Sequence, residues 1–263
     1  MKVALTIAGS DSGGGAGIQA DIKSMQANGV FATSVITAVT AQNTQAVTAA
    51  YDLPLDIIAA QIDAVFDDFE VAAVKTGMLS SAAIIQLVAE KVAQWQMSPM
   101  VVDPVMISTS GFALLQEDAV ENMKTLLIPK ATLVTPNTHE ATHLTGLSIA
   151  SVAEAEAAAK AIYAMGPEAV LVKGGHLEQE EEAVDVLYDG EGFTYFRSAF
   201  IDTPHTHGTG CTYASAIAAN LAKGMGLKPA IESAKGYVTE AIRHGLAIGK
   251  GHGPTHHFYF FSD

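Results

Sequence analysis

The stretch "HTHGTGCT" (residues 205–212) places the single cysteine of the chain, Cys211, directly after a glycine-rich turn. A run of small residues follows and predicts a buried helix that begins at this turn. The backbone N–H groups of Gly208, Thr209, Gly210 and Cys211 would lie at the positive end of that helix dipole, where they can bind an anion. Such a cradle suits the charge that develops on a phosphoryl group during transfer.

Cys211 is the nucleophilic side chain of this stretch. Because it stands at a helix start, we expect its pKa to be lowered and its thiolate to be favoured. A small buried hydrophobic role is the alternative for a free cysteine. Two other functions remain possible for this stretch. A thiol hydrolase would pair Cys211 with His207, but no third catalytic partner is evident. A zinc site would use His205, His207 and Cys211, but the usual second pair of ligands is absent from the sequence around it.

A second glycine-rich stretch, "AGSDSGGGAGIQAD" (Ala8 to Asp21), follows a predicted strand and opens a predicted helix. It does not fit the dinucleotide-binding G-x-G-x-x-G spacing, because Ile18 occupies the place of the last glycine. It does not fit a Walker A loop either, because no Gly-Lys-Ser/Thr follows. Either a tight turn or close approach of the backbone to a ligand explains these glycines.

Carboxylates and one lysine stand at the ends of other predicted strands. Asp103 lies in "VVDPVM", Asn137 and Glu140 lie in "TPNTHE", and Lys173 precedes a pair of glycines. Asp103 and Glu140, near a phosphate site, could hold Mg²⁺ mostly through water. A helix first-turn charge is the alternative for Glu140, and a solvated strand end is the alternative for Lys173. For His256 and His257 we expect a structural role.

The elements that must position these residues alternate along the chain. Near-continuous apolar runs predict strands buried on both faces, as in a parallel sheet: "KVALTIAG", "TSVITAVTA", "VAAVKTGM", "MVVDPVM", "ATLVTPN" and "AVLVKGG". Helical patterns separate them, and Ser151 with Glu154 predicts a capping box. "AVDVLYDGEGFTYFR" predicts a hairpin. We therefore expect one domain over residues 1–263, an α/β fold with a doubly wound sheet and one antiparallel edge, and ligands at the carboxyl ends of its strands.

Composition narrows the classes of function. The formal net charge of −14 argues against a nucleic-acid-binding protein. It also means that local devices, such as helix N-termini, a placed lysine and a metal ion, must hold any phosphate. A lone cysteine fits a reducing compartment, and no apolar run reaches the ~20 residues that span a bilayer. We expect a cytoplasmic protein.

Taken together, these stretches resemble the hydroxymethylpyrimidine and phosphomethylpyrimidine kinases of thiamine biosynthesis, in the ribokinase-like superfamily. The resemblance spans nearly the whole chain and rests on "TIAGSDSGGGAGIQADIK", "VITAVTAQNT", "KTGML", "VVDPVM.STSG", "TPN..E", "VKGGH", "HTHGTGCT.ASAIAANLA.G" and "GKGHGP.HHF". It implies a three-layer α/β/α architecture with a mostly parallel central sheet. It also implies an ATP-dependent kinase that uses Mg²⁺ and forms a homodimer.

The resemblance assigns roles to individual residues. Gln42 would read the hydrogen-bonding edge of the pyrimidine, with Asp21 near by. The pocket would be lined by Gly9, Ala16, Thr40, Met78 and Val105. Cys211 would lie beside the acceptor oxygen and Gly208 to Cys211 would hold the transferring phosphoryl group. Asp103 and Glu140 would organise Mg²⁺, while Lys173 and Asn137 would contact the nucleotide.

Two rival functions stay open. A pyridoxine or pyridoxal kinase of the same superfamily would bind a similar flat heterocycle that carries a hydroxymethyl group. A non-catalytic nucleotide-sensing module is a rival from another class, although the full set of Asp103, Glu140, Lys173 and "GTGC" speaks against it.

Overall fold

The computed structural model of the chain describes residues 1–107, 111–112, 114–175, 177 and 182–261. Its strands form one nine-stranded sheet in the order β3-β2-β1-β4-β5-β6-β7-β8-β9. The strands are Val3–Asp11 (β1), Phe31–Gln42 (β2), Val47–Asp52 (β3), Val71–Thr76 (β4), Met100–Val102 (β5), Leu133–Val134 (β6), Val170–Val172 (β7), Glu182–Tyr188 (β8) and Phe193–Ala199 (β9). From β2 to β7 all neighbouring pairs are parallel.

Both edges of the sheet are antiparallel, whereas one such edge was expected. The predicted hairpin is confirmed as β8 and β9. At the other edge, β3 pairs antiparallel with β2 and was missed. Its sequence, "VTAAYD", gives no apolar alternation, because its middle four residues are exposed to solvent. The other predicted strands are confirmed.

Helices cover both faces of the sheet. They are Gly17–Ala27 (α1), Leu55–Asp68 (α2), Ala82–Trp95 (α3), Ala119–Asn122 (α4), Thr138–Thr145 (α5), Val152–Tyr163 (α6), Thr209–Ala222 (α7) and Leu227–Arg243 (α8). Short irregular helical turns, Met123–Leu127, Ile128–Lys130 and Tyr259–Phe261, complete the described helical elements. Ser151 caps α6, since its side chain accepts the N–H of Glu154, whereas the Glu154 carboxylate of the predicted capping box accepts the N–H of Ala150.

Alternate residues of the strands face opposite sides of the sheet and pack into two separate hydrophobic cores. This is why the strand sequences are apolar at nearly every position. Leu5, Val74 and Val102 pack with α2, α3, α5 and α6 on one face. Ala4, Ala73 and Val101 pack with α1, α7 and α8 on the other. Burial on both faces is what a parallel sheet covered by crossover helices requires. The small residues of α7, such as Ala214 and Ala218, let this helix lie close to the sheet.

Among the helices that the structure describes, none is both long and apolar enough to cross a bilayer.

Candidate active site

A cavity of about 170 Å³ opens at the carboxyl ends of the parallel strands. It lies where β1, β2, β4, β5, β6 and β7 end, as the strand-end rule predicts. Its lining includes all but one of the residues proposed from the sequence, namely Gly9, Ala16, Thr40, Gln42, Met78, Val105, Asp103, Asn137, Glu140, Lys173 and Gly208 to Cys211. The fold therefore brings together residues that lie up to about two hundred positions apart in the chain.

The predicted anion cradle is formed by the N-terminus of α7. Gly208 is its N-cap, with φ of 81°, and no side chain caps the helix. One of the four predicted donors is in use, because the N–H of Thr209 donates to the carbonyl of Thr206 at 3.2 Å. Within the described part of the chain, the N–H groups of Gly208, Gly210 and Cys211 have no protein acceptor. The cradle therefore offers three N–H groups to an anion.

The two glycine-rich stretches contact each other. A Cβ on Gly208 would collide with the carbonyl oxygen of Gly15, and a Cβ on Gly15 would collide with the ring of His207. Gly9 is restricted in the same way, since its Cβ would lie 2.9 Å from Sδ of Met78. These glycines allow the loop after β1 and the start of α7 to approach closely and form one wall of the cavity.

Lys173 is not a solvated strand end, so the alternative role suggested for it is wrong. Its ammonium group lies 2.8 Å from Oδ1 of Asp103, and the two side chains are 12% and 2% exposed. Burial opposes both charges, but the attraction between them lowers the pKa of Asp103 and raises that of Lys173. Thr135 also donates to Asp103 Oδ1, at 3.1 Å. The wall of the cavity thus holds a fixed ion pair.

Glu140 plays the structural role that was the alternative for it. Its Oε2 accepts the N–H of Asn137 at 2.7 Å, and Asn137 Oδ1 accepts the N–H of Glu140 at 2.8 Å, which makes a capping box at the start of α5. Burial raises the pKa of Glu140 to about 7, and Asp103 contributes to this increase while Lys173 opposes it. Both residues still line the cavity.

The expectation of a Cys211 thiolate is wrong. Burial raises the pKa of the Cys211 thiol to about 11. The charge of Lys75 lowers this pKa, whereas the charges of Asp21 and Asp103 raise it further. The helix-start argument failed because the thiol is desolvated and carboxylates lie near it. Cys211 therefore lines the cavity as a neutral thiol at neutral pH.

Asp21 is the one predicted site residue that lies outside the cavity. Its side chain has no exposure, and it binds Lys75 at 2.9 Å as well as the hydroxyls of Thr6 and Ser215. It is one of the buried residues of α1. Instead of Asp21, its partner Lys75 reaches the cavity. The charges of Asp21 and Asp103 outweigh burial and raise the pKa of Lys75.

Asp11 and His207 also line the cavity. Asp11 was missed, and His207 was considered only as a partner of Cys211 or as a zinc ligand. Asp11 Oδ2 lies 2.9 Å from His207 Nε2, and both side chains are buried. His207 in turn lies near Gln42, with 3.4 Å between Nε2 of each. Asp11 stands within the glycine-rich stretch Ala8 to Asp21, so a carboxylate among glycines was the signal that could have identified it.

The C-terminal motif "GKGHGP.HHF" supports this wall. His207 N–H donates to Gly253, and His207 accepts the N–H of Thr255. The predicted structural role of His257 is confirmed, because its buried Nε2 lies 3.0 Å from the Thr212 hydroxyl and burial lowers its pKa to about 4. The N–H of His256 donates to the carbonyl of Ala241. The "STSG" stretch at Ser108–Ser110 and His176 lie outside the described residues.

A second cavity, of about 350 Å³, adjoins the first. It lies between the hairpin β8–β9 and helices α7 and α8. The two cavities share Lys173, Thr206, Thr209 and Gly210. The anion cradle and the lysine therefore stand between two spaces, which is the arrangement that transfer of a group from one ligand to another requires.

Comparison with known proteins agrees with this geometry. Residues 11–256 match the family described as phosphomethylpyrimidine kinase. The chain is 49% identical over 257 residues to hydroxymethylpyrimidine/phosphomethylpyrimidine kinase of Bacillus subtilis, covering 98% of this chain and 95% of the relative. It is 48% identical over 259 residues to the thiamine biosynthesis bifunctional protein ThiED of Geobacter sulfurreducens, covering 98% of this chain and 53% of that protein.

A solved structure gives the same fold. The crystal structure of an ADP complex of Bacillus subtilis pyridoxal kinase matches with a TM-score of 0.92 and 40% identity, covering 99% of this chain and 98% of that one. This likeness confirms the three-layer, ribokinase-like architecture that the sequence resemblance implied.

Proposed function

The chain belongs to the phosphomethylpyrimidine kinase family, and we propose that it phosphorylates a pyrimidine in two steps. ATP would first phosphorylate the hydroxymethyl oxygen of 4-amino-5-hydroxymethyl-2-methylpyrimidine, and a second ATP would phosphorylate the resulting monophosphate. The diphosphate would supply the pyrimidine half of thiamine. The names of the Bacillus and Geobacter relatives support this activity and pathway.

One observation carries the proposal: the three unpaired N–H groups of the α7 cradle and the Lys173 ammonium stand between the two cavities. A phosphoryl group that passes between them would keep its equatorial oxygens near fixed positive charge. Phosphoryl transfer depends mainly on such positioning and charge stabilisation. The helix dipole adds to the effect, because the net charge of −14 would otherwise repel the phosphates.

Each of the two cavities would bind one of the two substrates. The pyrimidine would lie in the first cavity against Gln42, Thr40 and Met78. The nucleotide would lie in the second, with its terminal phosphates near Lys173 and, at the border of the first, Asn137. The Asn137 side chain already caps α5, so it would contact the nucleotide only through its remaining N–H groups.

Cys211 would contribute its backbone N–H and a neutral thiol beside the acceptor oxygen. A thiol with a pKa of about 11 is a poor general base at neutral pH unless substrate binding lowers that pKa. The second step needs no base, because its acceptor is already an ionised phosphate oxygen. A loose transition state also asks little of a base in the first step.

The donor set fits Mg²⁺ held through water. Asp103 Oδ2 and Glu140 Oε1 accept no hydrogen bond from the described residues, so each carboxylate keeps one free oxygen. No three His, Cys, Asp or Glu side chains of the described chain are arranged to bind a metal directly. When bound, Mg²⁺ would neutralise charge on the ATP phosphates.

ATP turnover with three separate acceptors tests the proposal. We expect ADP to form with the hydroxymethylpyrimidine and with its monophosphate, and far less with pyridoxal. Turnover with pyridoxal alone would assign the pyridoxal kinase function, which the similarity to the Bacillus enzyme favours as the second candidate. Lys173→Ala serves as the control for contaminating kinases. We also propose a homodimer in the cytoplasm, and light scattering of the purified chain tests the assembly.

A further inference from the structure

We propose that His207 is a positioning residue that fixes the orientation of the Gln42 carboxamide and thereby selects which hydrogen-bonding edge of a heterocycle the cavity accepts. The inference rests on the proposed function insofar as the ligand is a ring with an amino group beside a ring nitrogen. Its structural part concerns His207, Asp11 and Gln42 alone.

Asp11 is a carboxylate that only accepts hydrogen bonds. Oδ1 accepts the N–H of Gly13 at 2.7 Å, while Oδ2 accepts the N–H of Gly15 at 3.0 Å and that of Ala16 at 2.8 Å. Burial opposes its charge, but the bond with His207 and these N–H groups lower its pKa. Asp11 is therefore ionised at neutral pH and can offer no hydrogen to a neighbour.

This fixes the hydrogen on the imidazole ring. His207 Nε2 lies 2.9 Å from Asp11 Oδ2, so a bare nitrogen there would face a carboxylate oxygen, lone pair against lone pair. Nε2 must carry a hydrogen whether the ring is neutral or charged. The ring cannot turn away easily, because its backbone is paired with Gly253 and Thr255 and its face lies against Gly15.

The hydrogen on His207 decides how Gln42 is oriented. The terminal group of Gln42 lies 3.4 Å from Nε2, and an N–H there can be approached by an oxygen but not by an NH₂. In the structure, Gln42 directs its NH₂ toward His207 and its Oε1 toward the Thr40 hydroxyl, 3.1 Å away. Because the two ends of a carboxamide have nearly the same shape, exchanging them gives the favourable arrangement, with Oε1 facing His207 and the NH₂ facing Thr40. Thr40 can accept from that NH₂ because its own hydroxyl donates to the carbonyl of Ser10 at 2.9 Å. Asp11, His207, Gln42 and Thr40 then form one consistent chain of donors and acceptors.

A carboxamide whose oxygen and NH₂ are held in fixed positions can distinguish heterocycles by the order of the hydrogen-bond donor and acceptor on their edge. An amino group beside a ring nitrogen offers a donor next to an acceptor, and a carboxamide can pair with both at once. If the amino group is replaced by a carbonyl, the ring nitrogen carries a hydrogen and the pattern is reversed. Gln42 could pair with the reversed edge only by turning its NH₂ toward the N–H of His207, which is unfavourable. A site built this way rejects the reversed analogue because buried polar groups stay unpaired.

The ring hydrogen can be measured on the whole protein. Proton–nitrogen correlation spectra of the ¹⁵N-histidine-labelled chain, with His207 assigned by its loss in His207→Phe, should show a hydrogen on Nε2. A neutral ring with the hydrogen on Nδ1 and a bare Nε2 would overturn the proposal. This result does not depend on enzyme activity.

Kinetics test the consequence for substrate choice. His207→Phe keeps a flat ring but loses the N–H, so the Gln42 carboxamide becomes free to turn. We expect the ratio of kcat/KM for the 4-amino pyrimidine to that for its 4-oxo analogue to fall at least ~10-fold, mainly through KM. His143→Phe, at an exposed position of α5, should leave the ratio unchanged. An unchanged ratio in His207→Phe would contradict the proposal. If the unaltered chain turned over neither pyrimidine, the proposed function would be wrong, and the spectra alone would then decide the role of His207.

Discussion

The ammonium group of Lys75 lies 2.9 and 3.0 Å from the two carboxylate oxygens of Asp21, and neither side chain is exposed to solvent. Thr6 and Ser215 also donate to Asp21, at 2.6 and 2.7 Å. The pair joins β4 to α1 beneath the cavity, and Lys75 is part of the cavity lining. A charge pair at this depth supports the site only while both partners are present.

Replacing Lys75 with Met should therefore lower the free energy of unfolding by about 3–5 kcal/mol, because Asp21 would stay buried without its counter-charge. Urea unfolding followed by circular dichroism measures this. Arg243→Met is the control, since the Arg243–Glu240 pair is 50% and 41% exposed and should contribute less than about 1 kcal/mol. If Asp21→Asn did not recover part of the loss in the double variant, the explanation by an unpaired charge would be wrong.

The ion pair of Lys173 with Asp103 should matter more to turnover than the thiol does. We expect Lys173→Ala and Asp103→Ala each to reduce kcat/KM by about 10²–10³-fold, because each removes fixed charge at the transferring phosphoryl group. Cys211→Ser should keep partial activity, since the serine preserves the backbone N–H of the cradle. Steady-state kinetics of the three variants decide the order. A serine variant as inactive as the other two would show that the thiol itself is required.

The neutral Cys211 thiol should react slowly with iodoacetamide at neutral pH. Its pKa of about 11 leaves little thiolate at pH 7, and the rate should rise steadily as the pH increases toward 11. Mass spectrometry of timed samples gives the rate directly. Bound pyrimidine should slow the reaction further, because Cys211 lines the cavity. A rate that is already at its plateau near pH 7 would restore the thiolate that the helix start alone predicts.

Glu140 should make the fold less stable as the pH rises. Its pKa is about 7 in the folded chain and near 4.5 when unfolded, so the folded state binds more protons between these values. The unfolding free energy should therefore fall as the pH increases through roughly 4.5 to 7. Glu140→Gln, which can still accept the N–H of Asn137, should remove this part of the pH dependence.

Glu154, in the first turn of α6, gives a control of opposite sign. The pKa of Glu154 is lowered by the backbone N–H of Ala150 and by Ser151, so its contribution is present at neutral pH and is lost as the pH falls. Urea midpoints from roughly pH 3 to 7.5 compare Glu140→Gln, Glu154→Gln and the unaltered chain. Parallel profiles for Glu140→Gln and the unaltered chain would contradict the raised pKa of Glu140.

The sequence by itself determined the class of fold and most of the cavity. Apolar runs alternating with helical patterns predict a parallel sheet, and strand-end residues such as Asp103, Asn137 and Lys173 must then lie along one edge. Local sequence features also predicted where helices begin, since Ser151 is the N-cap of α6 and Gly208 is the N-cap of α7. These features depend on residues close together in the chain, or on rules that hold for every parallel sheet.

Tertiary structure alone decided the state and the partners of the charged groups. Lys173 pairs with Asp103 across 70 residues, Lys75 with Asp21 across 54, and His207 with Asp11 across 196. Burial makes Cys211 a thiol where a thiolate was expected, and it keeps Asp21 out of the cavity lining. Desolvation and charge pairing depend on which side chains meet in space, and no local pattern of residues encodes that meeting.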